Sequence, residues 1–143
     1  MPRLLLFAPC EKLIVDESGN PTLVCLLENI NVEVEKDKAV PDDAFSPMEW
    51  DVVTLWRPEP GDAGKQFKQR FAFEFQDGKV AMQSTIEFKM GEGSHRIKVH
   101  IRGFPVGKPG EYLAKVWLDS PGESPSDEPL AVLPLRVIHK APA

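Results

Sequence analysis

The alternation of large apolar and polar residues is clearest between Phe67 and Phe88, where two alternating runs flank Asp77-Gly78. The apolar members of the two runs are Phe67, Phe71, Phe73 and Phe75, then Val80, Met82, Ile86 and Phe88. A period of two sends successive side chains to opposite faces of a strand, and Asp-Gly favours a two-residue turn. The pattern therefore predicts a β-hairpin with one apolar face.

The two-residue turn also predicts the register of the hairpin. The expected pairs are Phe75 with Val80, Phe73 with Met82, Phe67 with Phe88, Lys68 with Glu87, and Gln69 with Ile86. The first three pairs are apolar, and Lys68 with Glu87 is an opposite-charge pair of the kind that helps to fix alignment. Gln69 is the one polar residue on the apolar face.

Similar runs elsewhere in the chain predict eight strands separated by turn residues. They are residues 4–15, 22–34, 50–57, 66–75, 79–90, 95–102, 111–119 and 130–139. Short strands at this spacing are typical of all-β proteins. We expect a two-sheet antiparallel β-sandwich, and the segment Lys108 to Tyr112 resembles the turn and tyrosine that open a late strand in immunoglobulin-like domains.

Length and charge narrow the class of protein further. A chain of 143 residues with 42% hydrophobic content fits one domain, which we place at residues 1–143. The net charge of -5 disfavours nucleic acid and anionic membrane surfaces and slightly favours a basic partner. The apolar run Leu4 to Ala8 is too short for a signal peptide, and no run is long enough to span a bilayer. We therefore expect a cytoplasmic protein.

The two cysteines, Cys10 and Cys25, fall in the first two predicted strands, and pairing of those strands would allow them to be neighbours. Reduced thiols that pack as small apolar groups are the favoured interpretation, with a disulfide or part of a metal site as alternatives. Zinc needs four ligands, and no cysteine or histidine spacing supplies them. We expect no metal and no cofactor.

No catalytic motif is recognisable in the sequence. Ser94 and His95 are adjacent, but a nucleophile and its base also need a third group that orients the base. His95 and His100 are an odd number of residues apart, so on one strand they point to opposite faces. The sequence predicts no catalytic residue, and we expect a protein that is not an enzyme.

One predicted strand carries a basic face. Arg96, Lys98, His100 and Arg102 alternate with apolar residues, and Trp117 is expected on the same side. A solvated edge strand protected by positive charge is the first interpretation. The alternatives are a site for an acidic partner or an anion and, less favoured, for nucleic acid. Arginine beside tryptophan also suits a protein interface, so these residues are the candidate binding residues.

Several segments together resemble an uncharacterised bacterial family of small immunoglobulin-like β-sandwich proteins of unknown function. They are Ala8-Pro9, Ser18-Gly19-Asn20, Leu23 to Leu27 with Ile30, Trp50 to Val53, Gly110 to Tyr112, and Leu133 to Val137. They span nearly the whole chain. The resemblance implies a fold and no functional residue, because a shared fold does not determine activity.

Two functions fit these observations. The favoured one is a non-enzymatic protein-interaction module that uses its loops, its basic face or an exposed edge strand, with self-association as one form. The alternative is a small-ligand or carbohydrate-binding domain in which Trp50, Trp56 or Trp117 stacks on the ligand. Burial in the core competes with stacking, and for Trp56 it is the favoured interpretation.

Overall fold

The computed structural model describes residues 1–142, which form nine β-strands and no helix. The strands are β1 (Arg3–Val15), β2 (Pro21–Leu26), β3 (Asn29–Glu33), β4 (Phe45–Arg57), β5 (Gln66–Glu74), β6 (Val80–Lys89), β7 (His95–Pro105), β8 (Gly110–Asp119) and β9 (Ala131–Lys140). The all-β prediction is confirmed. Within this range no helix is long and apolar enough to cross a membrane.

The strands form two sheets. The four-stranded sheet has the order β2-β1-β4-β7, and the five-stranded sheet has the order β3-β9-β8-β5-β6. The four-stranded sheet is antiparallel, whereas β3 runs parallel to β9 in the five-stranded sheet. The prediction of two sheets is confirmed, but the prediction that both are antiparallel is wrong.

The mixed sheet arises because the predicted strand 22–34 is broken at Leu27-Glu28, where the chain changes sheets. The Leu27 N–H donates to the carbonyl of Pro9, which lies on β1 of the four-stranded sheet, at 2.9 Å. The Glu28 carbonyl accepts from the Arg136 N–H on the five-stranded sheet at 2.8 Å. Consecutive residues thus bond to different sheets, which gives nine strands where the sequence predicted eight.

The β5–β6 hairpin has the predicted register over most of its length. Confirmed pairs are Phe67 with Phe88, Lys68 with Glu87, Gln69 with Ile86, and Phe73 with Met82. The pair nearest the turn is wrong, because Glu74 and not Phe75 lies opposite Val80.

The turn of this hairpin explains the difference. The Phe75 N–H donates to the Lys79 carbonyl, and the Gly78 N–H donates to the Phe75 carbonyl. The turn therefore consists of the three residues 76–78. Gly78 has a positive φ of 86°, and Asp77 does not have a positive φ. A type I turn closed by a left-handed glycine has this form, while a two-residue turn of the predicted kind needs positive φ at both residues. Ala81 is then left unpaired as a bulge, which restores the predicted register from Met82 onward.

Alternate residues of β4 point into the core between the sheets. Trp50 and Trp56 are fully buried there, in two neighbouring apolar clusters. The Trp50 ring centroid lies 5.5 Å from that of Phe73 and 5.0 Å from that of Phe104. Phe73 lies on β5, so its contact with Trp50 joins the two sheets through aromatic packing, whereas Phe104 lies on β7 of the same sheet as Trp50.

Gln69, the polar exception on the apolar face, bonds across the core. Its Oε1 accepts from Trp56 Nε1 at 2.8 Å and from Thr54 Oγ1 at 2.5 Å. Gln69 lies on β5 and the two donors lie on β4, so the bonds connect the two sheets. One amide oxygen thus accepts from two buried donors, each of which would lower the stability of the fold if it had no acceptor.

Candidate functional site

The hairpin formed by the end of β1 and the start of β2 leaves the plane of the four-stranded sheet. β1 pairs with β4 only from Arg3 to Cys10, and its remaining residues pair with β2 alone. The β1–β2 pairing skips Cys25, whose φ of 54° is the only positive value among the non-glycine residues described. Residues 11–25 are called the arm below.

Two long-range hydrogen bonds fix the arm over the outer face of the four-stranded sheet. The Leu13 N–H donates to Asp51 Oδ2 at 2.9 Å, and Arg96 Nη1 donates to the Gly19 carbonyl at 3.3 Å. Asp51 and Val53 point to this outer face, because their neighbours along β4 point into the core. They are nevertheless only 4% and 0% exposed. We conclude that the arm covers the outer face at this point.

A network of charged groups borders the arm. His100 Nδ1 lies 2.7 Å from Asp51 Oδ1, and His100 Nε2 lies 3.4 Å from Glu49 Oε1. Arg102 Nε lies 3.5 Å from the same Glu49 oxygen. The hydrogen bond to Asp51, followed by that to Glu49, raises the pKa of His100 above its usual value of 6.5, although partial burial opposes this.

The four basic residues of β7 lie where the sequence placed them, on the outer face of a strand at the edge of its sheet. Three of them bond to groups of the same chain: Arg96 to the arm, His100 to two carboxylates, and Arg102 to Glu49. Within residues 1–142, Lys98 is the member of this group without an ion pair or a side-chain hydrogen bond. His100 and Arg102 therefore have carboxylate partners within the chain, while Arg96 is held by a neutral carbonyl.

Trp117 does not join these residues. It lies on β8 in the five-stranded sheet, whereas the four basic residues lie on β7 in the four-stranded sheet. The guanidinium carbon of Arg70 lies 4.9 Å from the Trp117 ring centroid, and Trp117 Nε1 donates to the Asp127 carbonyl at 3.3 Å. The expectation of one common surface is wrong, because strands of different sheets present their outer faces to opposite sides.

The stacking role proposed for Trp50 and Trp56 is also wrong. Both side chains are fully buried. Trp50 Nε1 donates to the Gly103 carbonyl at 2.9 Å, and Trp56 Nε1 donates to Gln69. Neither ring has a face that a sugar could reach.

β2 is the edge strand that sequence reasoning did not single out. It pairs with β1 only, and five of its six residues are exposed to solvent. It contains no charged residue, whereas the edge strand β7 carries Arg96, Lys98 and Arg102. Charged residues on edge strands prevent unwanted pairing with other chains, and β2 lacks this protection. The signal in the sequence is the uncharged run Pro21 to Leu27 in a chain that is 27% charged.

An apolar cleft of about 790 Å³ adjoins β2. It lies between β1 and β2 on one side and β9 on the other, and Leu6, Leu26 and Leu133 are among its walls. Leu26 is 61% exposed, the largest exposed fraction among the large apolar residues described. The volume falls in the range of protein binding pockets, and the lining is mainly apolar, as in such pockets.

The charged residues at this cleft are Glu28, Glu111 and Arg136. Glu111 lies opposite Arg136 in the β8–β9 register. In the part of the chain described, none of the three makes an ion pair within 4.0 Å. We refer to the β2 strand and this cleft together as the edge site.

Cys10 and Cys25 lie on the paired strands β1 and β2, and both are free thiols. Cys10 is fully buried, and Cys25 is exposed. Burial, followed by the charge of Asp51, raises the pKa of the Cys10 thiol. A buried protonated thiol is a poor nucleophile, so Cys10 fits the predicted packing role.

Residues 1–142 contain no group of three or more His, Cys, Asp or Glu side chains placed to hold a metal ion.

Comparison with known proteins adds no family. The sequence matches no protein-family model, and a search of curated proteins finds no similar sequence. The resemblance to a bacterial family of immunoglobulin-like domains stays a prediction.

Proposed function

We propose that this protein is a non-enzymatic interaction module that binds an extended segment of a partner protein along β2. The observation that carries the proposal is the state of this edge strand, which is exposed, uncharged and paired on one side only. An edge strand presents unpaired backbone N–H and C=O groups, and an extended peptide can pair with them as a further strand.

β2 is better suited to an extended partner than the basic face of β7. Three of the four basic residues on β7 already bond within the chain, so a partner would have to replace those contacts. β2 offers backbone groups beside an apolar cleft, and a partner there replaces only water.

The occupant that we propose is a segment of another protein and not a second copy of this chain. Each copy carries a net charge of -5, so two copies repel each other. Pairing through a strand of six residues also gives a small contact. A stable dimer needs about 1,200 Å² or more of buried surface.

We further propose that the two sheets form an immunoglobulin-like sandwich. The Tyr112 hydroxyl donates to the Lys108 carbonyl at 2.7 Å, four residues upstream, which supports the turn-and-tyrosine feature of that fold. The absence of enzymatic function is part of the same proposal. It is supported by the complete burial of Cys10, whose thiol a substrate in solvent does not reach.

Binding at β2 is tested with the full chain and a short synthetic peptide that alternates Val and Thr between terminal lysines. The variant is Val24→Lys, which places a charge on the edge strand at a position that is 36% exposed. The matched control is Val132→Lys on β9, which lies inside the other sheet and is 43% exposed. Fluorescence anisotropy of the labelled peptide measures the affinity of each protein.

We expect Val24→Lys to weaken binding by about tenfold or more, equivalent to ~1.4 kcal/mol, and Val132→Lys to leave it unchanged. Equal affinity of the wild type and Val24→Lys would overturn the proposal. Sedimentation of the wild type as a dimer that Val24→Lys converts to a monomer would identify a second copy as the occupant, and would overturn it as well.

A further inference from the structure

We infer that the partner segment is apolar at alternate positions and carries a cationic residue that faces Glu28. This inference rests on the proposed function and names the chemistry of the segment that binds at the edge site. It follows from the arrangement of apolar and charged groups around the cleft.

The apolar part of the inference comes from the position of Leu26. This side chain is largely exposed at the end of β2 and lines the cleft together with Leu23 and Leu133. A segment that pairs with β2 sends alternate side chains to the same face of the extended sheet. Side chains on the face of the cleft meet an apolar surface, so apolar residues at alternate positions remove that surface from water.

The cationic part comes from the balance of charge at the same place. The edge site contains two carboxylates, Glu28 and Glu111, and one guanidinium, Arg136. Glu111 lies opposite Arg136 in the β8–β9 register, but within residues 1–142 neither of them, nor Glu28, makes an ion pair within 4.0 Å. The three side chains together carry one more negative than positive charge. One negative charge is therefore left uncompensated at the cleft.

The location of Glu28 gives the position of the cation along the segment. Glu28 follows β2 by two residues, and its backbone carbonyl is held by the Arg136 N–H at 2.8 Å. Its side chain is exposed at the end of the strand that carries Leu26. A Lys or Arg at the end of a docked segment reaches this carboxylate while its apolar residues occupy the cleft.

A charge exchange tests the inference. The probes are the lysine-ended Val/Thr peptide and a matched peptide with glutamate at both ends. Each is titrated into the wild type, Glu28→Lys and the control Glu123→Lys, which changes an exposed carboxylate in the loop before β9. Circular dichroism of each variant checks that the fold is retained.

For the wild type and Glu123→Lys, we expect the lysine-ended peptide to bind about tenfold more tightly than the glutamate-ended one. For Glu28→Lys, we expect the preference to disappear or reverse. The preference should also weaken as salt is added, because salt screens exposed charges.

The outcomes separate this inference from the proposed function. If both peptides bind equally and Glu28→Lys changes neither affinity, the cationic partner is excluded while docking at β2 stands. If Leu26→Ser leaves the affinity unchanged while Val24→Lys abolishes binding, the apolar requirement is excluded. If neither peptide binds any of the proteins, the proposed function itself fails.

Discussion

His100 and Asp51 lie opposite each other in the β4–β7 register, with Nδ1 and Oδ1 separated by 2.7 Å. The same Asp51 carboxylate accepts the N–H of Leu13 through its other oxygen. One buried side chain therefore connects an edge strand, a central strand and the arm. Because the arm carries most of β2, this contact positions part of the edge site.

The first prediction concerns the titration of His100. Its pKa in the folded protein is raised above 6.5 by the hydrogen bond to Asp51 and then by that to Glu49. The stability that this contact contributes is thus fully present below the unfolded value and is lost as the pH rises through the folded value. NMR titration of the ring protons should give a midpoint above 6.5 in the wild type.

The accompanying change in stability should be small. The His100 side chain is 45% exposed, and solvent screening keeps the effect below about 1 kcal/mol. Replacing His100 by Gln should make the free energy of unfolding depend less on pH between pH 6 and 8, where histidine titrates. A wild-type midpoint at or below 6.5 would contradict the structure of this network.

The second prediction concerns attachment of the arm. Asp51→Ala removes the acceptor of the Leu13 N–H and should destabilise the protein by about 1–3 kcal/mol, the typical cost of breaking a buried hydrogen-bonded contact. Hydrogen exchange should accelerate in residues 11–25 more than in β5 or β8. Asp51→Asn keeps one amide oxygen as an acceptor and should have a smaller effect. Unchanged exchange in the arm of Asp51→Ala would show that Asp51 does not hold it.

The third prediction concerns the polar bond across the core. Gln69→Leu makes the apolar face uniform, yet it leaves the Trp56 N–H and the Thr54 hydroxyl without their acceptor. We expect a loss of about 2–4 kcal/mol in the free energy of urea unfolding, since two buried donors lose a partner. Gln83→Leu on β6 is the control, because that residue is exposed, and it should change stability by less than about 0.5 kcal/mol. Equal stability of wild type and Gln69→Leu would contradict the account of Gln69.

The fourth prediction concerns a close backbone approach at Gly107. A Cβ atom there would lie 2.2 Å from the Pro41 carbonyl oxygen and 2.4 Å from that of Asp42. Gly107→Ala should therefore displace residues 41–42 and cost about 1–3 kcal/mol, as overpacking typically does. At Gly91 a Cβ atom meets nothing within 4 Å, so Gly91→Ala is the matched control. A melting temperature of Gly107→Ala equal to that of the wild type would show that residues 41–42 move aside at no cost in stability, which would contradict this prediction.

Much of the fold was predictable because it follows from local patterns. Alternation located most of the strands, and the Lys68–Glu87 pair together with facing phenylalanines gave the hairpin register. The error at Phe75 arose because Asp-Gly is compatible with more than one turn, and the choice depends on a bulge at Ala81. The break at Leu27-Glu28 was missed because the alternation of apolar residues in a strand does not depend on which sheet the strand joins.

The candidate site was predicted less well, because it depends on contacts between distant residues. The alternation on β7 correctly predicted a basic outer face, but not that Asp51 and the arm occupy part of it. Trp117 has the pattern of an outward residue, and nothing local shows which sheet carries it. β2 was overlooked because its lack of charge acquires meaning only once the strand is known to lie at an edge.

The central claim is that β2 is the docking edge, and hydrogen exchange of its backbone amides tests this most directly. The full chain is measured alone and then saturated with the lysine-ended Val/Thr peptide. We expect slower exchange within residues 22–26 and no change in the other edge strands β3, β6 and β7. Protection confined to β7, or none anywhere in a saturated complex, would contradict it.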